Sequence, residues 1–246
     1  MRLFLAAVTL VMATTPAGAQ WLDRKTPGIP RSADGKPNLT APAPRGPDGK
    51  PDLTGVWDGP AVVARPDVDN LQPWVRDLVL QRQQEYYKTR PYYQCLPSGP
   101  EAERFGGWKR FLQTPAVIAI LNDDLTYRLI HMDGRQLEAD PAPNWMGYSV
   151  GRWDGDTLVI ETSGVTADIF GVAADATLHS TGLRTVERYA RSADGKTLML
   201  TATLEDIATF REALVLKKIW GWAPDQKIAA YDSCERPAES KKGGNR

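Results

Sequence analysis

The chain has only two histidines, His131 and His179, and each falls at the end of a segment with strand-like alternation. Stepping back from His131 by twos gives Leu129, Tyr127 and Leu125; stepping forward from His179 gives Thr181, Leu183, Thr185, Glu187 and Tyr189. Side chains alternate across a strand, so each set shares one face. If these faces line the inside of a barrel, His131, Tyr127, His179 and Glu187 point inward. Asp206 joins them from the face of Leu198, Leu200, Ala202 and Leu204. Imidazoles and carboxylates in a desolvated interior suit general acid–base catalysis, because burial shifts their pKa values. The expected catalytic set is therefore His179 and His131 with Glu187 and Asp206, one carboxylate orienting His179. Tyr127, Arg135, Trp145 and Trp153 are the expected ligand contacts, with Arg135 suited to a carboxylate or enolate and the indoles to stacking. Each has a plainer role as well: a strand-end histidine as a structural group, Glu187 in a surface charge ladder with Arg184 and Arg188, the tryptophans as wall or core.

Other chemistries leave no trace. The sequence lacks G-x-S-x-G, the P-loop, G-x-G-x-x-G and H-E-x-x-H, so no cofactor is expected. A metal held by both histidines and a carboxylate such as Asp133 has no supporting spacing, and none is expected. Thirty basic residues balance thirty acidic ones without a basic cluster, which gives no electrostatic reason for a nucleic-acid partner.

The elements that must hold these residues read as strands. "AVIAIL" and "LTYRLIHM" flank Asn122-Asp123-Asp124; "YSVGRW" and "DTLVIET" flank Asp154-Gly155; "TGLRTVERYAR" and "TLMLTATLED" flank Asp194-Gly195; "EALVLKKIWGW" and "KIAAYD" flank Pro224-Asp225. Four hairpins give about eight strands. With no second helix long enough for a crossover, they predict an all-β, antiparallel up-and-down barrel, lipocalin-like in plan, with a two-sheet sandwich as the alternative. The barrel domain is expected over 57–236, with a disordered tail at 237–246.

Ahead of the barrel, "RSADGKPNLT" (31–40) and "RGPDGKPDLT" (45–54) are near copies, and "RSADGK" returns at 191–196. Two copies are too few for a solenoid. Residues 20–56 therefore predict an extended Pro/Gly-rich arm with a twice-used turn, anchored by Leu39, Leu53, Val56 and Trp57. A helix is expected near 70–88, capped by Asp69 or Asn70, with Pro73 in its first turn and a stripe of Leu71, Trp74, Val75 and Leu78.

Residues 1–19 read as a secretory signal: Arg2, the apolar run Leu3–Met12, then Ala17-Gly18-Ala19. The mature chain would begin at Gln20 in the periplasm or outside the cell. No segment is long and apolar enough to span a membrane as a helix. In that compartment the only cysteines, Cys95 and Cys234, read as a disulfide, with two free thiols or an intermolecular bridge as alternatives.

The blocks "DGKPDLTGVW", "DGRQLEADPAPNWMGYSVGRWDGDTLVIET" and "YDSCE", in this order, resemble a widespread family of secreted bacterial proteins. The resemblance covers nearly all of the mature chain. It implies export and a lipocalin-like barrel, and it supplies no catalytic residues. Two functions follow as expectations. One is cofactor-free acid–base chemistry, of isomerase or lyase type, on a small hydrophobic or aromatic molecule in the lumen. The other is a non-catalytic carrier of the same kind of ligand.

Overall fold

In the computed structural model, residues 30–38, 40–62, 68–85, 108–122, 126–167 and 179–226 are described below. Cys95, Cys234, Leu39, the signal-like segment, the "KIAAYD" strand and the tail lie outside these residues.

Among the described residues nine strands close into a barrel: β1 (Gly55–Val62), β2 (Lys109–Gln113), β3 (Val117–Asn122), β4 (Tyr127–His131), β5 (Tyr148–Asp154), β6 (Thr157–Ser163), β7 (Arg184–Arg191), β8 (Thr197–Glu205) and β9 (Leu214–Trp222). Each strand pairs with its sequence neighbour, and β1 closes the ring on β9. Closure removes the free edges that an open sheet would expose. The barrel expected from sequence is therefore present, with two strands the alternation did not mark. β1 contains Gly55, Gly59 and Pro60 and β2 is only five residues long, so they read as arm and loop.

One pairing departs from an all-antiparallel plan. β4 and β5 run parallel and share only two residue pairs, Ile130↔Ser149 and His131↔Val150. The connection from 132 to 147 is too long for a hairpin, and it returns the chain to the end where β4 began. It is held there by Asn144, which accepts from the Thr166 amide at 2.9 Å and donates its own to the Gly164 carbonyl at 3.0 Å. This seam has the fewest paired residues of any in the barrel.

The lumen is filled in its middle by large apolar side chains. Trp57, Phe111, Ile120, Ile160, Leu200 and Trp220 are buried in one cluster. The Tyr189 ring packs edge-on to Phe111 at 5.6 Å and stacked on Trp220 at 6.3 Å. Helix α1 (Pro73–Gln84) closes one end, burying Val75 and Val79 in the same cluster. Its start differs from expectation. Gln72 occupies the cap position without a side-chain cap bond, and Asn70 instead binds the backbone of Glu212 through both amide atoms, each at 2.9 Å. Trp74 is 52% exposed rather than part of the apolar stripe, and its indole N–H donates to the Ala208 carbonyl at 3.0 Å.

The three R-x-x-D-G-K segments form one turn three times over. In each, the arginine donates to the glycine carbonyl four residues on: Arg31 to Gly35 at 2.8 Å, Arg45 to Gly49 at 2.7 Å, Arg191 to Gly195 at 2.9 Å. In each, the aspartate accepts from the lysine amide at 3.1 Å. The glycines sit at φ 80°, 73° and 72°, a left-handed conformation that only glycine adopts cheaply. Identical local chemistry thus serves two arm turns and the β7–β8 hairpin. Arm residues then dock on the barrel: Leu53 is fully buried, Arg45 pairs with Asp156 at 2.6 Å, and the Asp52 carbonyl accepts from Arg191 of β7, which lies against the Trp57 and Trp222 rings at 4.9 and 5.1 Å. Val56 and Trp57, expected as arm anchors, belong to β1.

Candidate functional site

The face assignment of β4 is the main correction to the sequence reading. Tyr127 is 60% and Leu129 48% exposed on the outside of the barrel, and His131 lies half-buried beside them. Arg128 and Ile130 point inward. The alternation is present, but a charged residue normally marks the solvent face, and here it marks the lumen. The reason lies on other strands. Arg128 Nη1 donates to both oxygens of Glu187 at 3.0 Å, and its Nη2 donates to Ser149 Oγ at 3.2 Å and Thr162 Oγ1 at 3.1 Å. Ser149 and Thr162 are themselves bonded at 2.9 Å. Four strands thus hold one buried polar network, with Arg128 and Glu187 side chains 1% and 0% exposed.

Directly outside this network, where β4 and β5 separate, an open cleft of about 400 Å³ runs along the seam. Tyr127, Leu129, His131, Trp145, Met146 and Tyr148 line it, and Arg128 and Ser149 form its back. Of the expected site residues it therefore gathers Tyr127, His131 and Trp145. The His131 ring packs against Tyr148 at 5.3 Å. Arg135 reaches the same edge, donating to Tyr148 Oη at 3.2 Å while it pairs with Asp133 at 2.6 Å. The guanidinium bond holds the Asp133 carboxyl down at about 2.

The other expected residues lie elsewhere. Glu187 does point into the lumen, but to Arg128 rather than to a histidine. Asp206 is buried at the barrel end and accepts four bonds: from the Ser180 amide at 2.6 Å, Ser180 Oγ at 2.8 Å, the Ala208 amide at 3.1 Å and Thr209 Oγ1 at 2.8 Å. It ties the chain before β7 to the turn after β8. His179 is buried next to this turn, its Nδ1 3.1 Å from the Ser180 carbonyl. Neither expected carboxylate is hydrogen-bonded to His179, so Glu187 and Asp206 do not orient it. Trp153 is half-buried in a different cleft, at the rim beside the arm.

Burial pushes the His179 pKa below its ordinary value, and the Ser180 carbonyl and Asp206 only partly oppose this. The unfolded chain therefore takes up a proton that the folded chain refuses as pH falls through about 6.5. Folding stability from this group is full above that pH and declines below it, by up to about 1.4 kcal/mol per pH unit until the folded-state pKa is reached. Urea unfolding between pH 7.5 and 5 should show this slope in wild type and in His131→Gln, and lose it in His179→Gln. An unchanged slope in His179→Gln would refute the assignment.

Sequence reasoning missed Arg128, Ser149 and Thr162, as well as Lys109 and Lys218, which are also buried facing the lumen. The only available signal was the strict alternation around Arg128 and Lys218, which a reading by polarity turns outside in. Among the described residues no group of three or more His, Cys, Asp or Glu is placed to hold a metal ion, and no helix is long and apolar enough to cross a membrane. Compared with known protein families, curated proteins and solved structures, the chain matches none.

Proposed function

We infer that this protein takes a small hydrophobic or aromatic molecule at the β4–β5 seam and moves a proton on it without a cofactor, with His131 as the acid–base group. The observation that supports this reading is the seam cleft itself. It is an aromatic-walled opening of about 400 Å³, within the range of small-molecule sites, at the one place where the wall is only two residue pairs long. Tyr127, Trp145 and Tyr148 offer flat apolar surface, and exposing such surface to water is unfavourable unless something covers it. His131 stands at the edge, within reach of a bound molecule and of solvent. The catalytic centre first expected around His179 moves to His131 in this reading, because His179 is buried and bonded into a structural turn.

The chain is proposed to act after export, with residues 1–19 removed and Cys95 linked to Cys234. Mass spectrometry of periplasmic protein should give a chain that starts at Gln20 and has no alkylatable thiol; an intact Met1 or two free thiols would contradict it. Binding is tested with 1-anilinonaphthalene-8-sulfonate as probe. Trp145→Ala and Tyr127→Ala should each weaken probe binding about tenfold or more, in line with losing an aromatic contact worth ~1.5 kcal/mol. Wild-type affinity in both variants would sink the seam as the binding place. The second reading, a carrier without chemistry, uses the same cleft and is separated from the first by the role of His131.

A further inference from the structure

A second cleft, of about 410 Å³, lies between the arm and the rim of the barrel, and nothing in the reading above uses it. Trp153 and Gly151 of β5 form one side, the second arm turn with Asp48 and Asp52 another, and the β2–β3 turn the third. Built contacts hold the arm there as a fixed wall. The Gln113 side chain accepts from the Leu53 amide at 3.0 Å and donates to the Pro51 carbonyl at 3.1 Å, so it mimics a strand partner for the arm. Arg191 donates to the Asp52 carbonyl, and Arg45 grips Asp156 through two bonds of 3.0 and 2.6 Å.

The polar groups around this cleft are oriented by their own loops. Asp48 Oδ1 accepts from the Lys50 amide at 3.1 Å and Asp52 Oδ1 from the Thr54 amide at 2.8 Å. These bonds fix each carboxylate plane and leave Oδ2 available to a donor. Trp153 presents a half-buried indole to the same cleft, while the Arg152 guanidinium, on the opposite face of β5, pairs with Glu161. Acceptors and an aromatic face therefore meet in one concavity. An organic cation would suit the carboxylates and be opposed by Arg191, whose charge already lies beside Asp52. A purely apolar ligand would strip water from two carboxylates and return no hydrogen bonds, a large cost. A neutral polyhydroxylated ring satisfies both: hydroxyls donate to the carboxylates in charge-assisted bonds, and the C–H face lies on the indole. We propose that the rim cleft is a carbohydrate site that holds one or two neutral sugar units.

The test uses the full mature chain and four probes: maltose, cellobiose, lactose and N,N′-diacetylchitobiose. Saturation-transfer NMR and tryptophan fluorescence should show saturable binding of at least one, with Kd about 1 mM or tighter. Asp48→Asn and Asp52→Asn keep the loop acceptor and the side-chain size, and each should weaken that binding at least tenfold with Tm unchanged. Trp153→Phe, which keeps apolar packing, should weaken it as well. Trp145→Ala, in the seam cleft, should leave sugar binding unaltered, so the two sites succeed or fail separately. The proposal is overturned if none of the four sugars binds saturably, or if Asp52→Asn binds as tightly as wild type.

Discussion

Replacing Glu187 with alanine should destabilise the fold by about 3–5 kcal/mol, the cost of leaving a buried charge without its partner. Glu187 and Arg128 are essentially inaccessible to water, and Arg128 Nη2 donates to the Ser149 and Thr162 hydroxyls. Removing the carboxylate leaves a buried guanidinium without its counter-charge, beside the apolar cluster of Phe111, Ile120 and Ile160. An ion pair in such a place is weak support for stability against an apolar replacement of the same shape. The double variant Arg128→Met/Glu187→Leu should therefore recover most of the loss, within about 1 kcal/mol of wild type, despite deleting twice as many charged groups. Urea unfolding at pH 7 measures both. A Glu187→Ala cost below about 1 kcal/mol, the median for surface pairs, would mean the pair is hydrated and the lumen is wetter than its packing indicates.

His131→Gln should lower turnover at the seam by about 10²-fold or more while leaving ligand affinity within a few-fold, the pattern of a residue acting in the transition state. The suitable assay is proton exchange at carbon. A base takes the α-proton of an aryl ketone to give the enolate, the conjugate acid exchanges that proton for a deuteron of the D2O solvent, and it returns the deuteron to carbon, so atoms and charge balance without a cofactor. A panel of small aryl ketones followed by NMR shows whether the wild-type chain exceeds the buffer rate. His179→Gln serves as the contrast and should retain exchange in whatever fraction stays folded. If no ketone exchanges faster with wild type, yet the cleft binds them, the carrier reading stands and the enzymatic one falls. If His131→Gln exchanges at the wild-type rate, His131 has no part in the chemistry.

The sequence by itself determined what depends on neighbours along the chain. The three R-x-x-D-G-K turns were legible because an aspartate, a glycine at positive φ and an arginine four residues ahead of the glycine carbonyl close the same ring wherever they occur. The hairpins at Asp154-Gly155 and Asp194-Gly195 followed from the same local chemistry, as did the inward set Leu198, Leu200, Ala202 and Leu204. What only the tertiary structure decided depends on partners far away in sequence. Arg128 faces inward because Glu187, fifty-nine residues on, is there to receive it, and that one pairing turns Tyr127, Leu129 and His131 outward. Alternation gives a strand two faces and cannot say which is wet when the charged face has a buried counter-charge. The seam was equally illegible, since whether β5 returns parallel to β4 is set by where the 132–147 connection is pinned, by Asn144 against Gly164 and Thr166. Both candidate clefts arise where distant segments meet without fully pairing: β4 against β5 at one, the arm against the rim at the other.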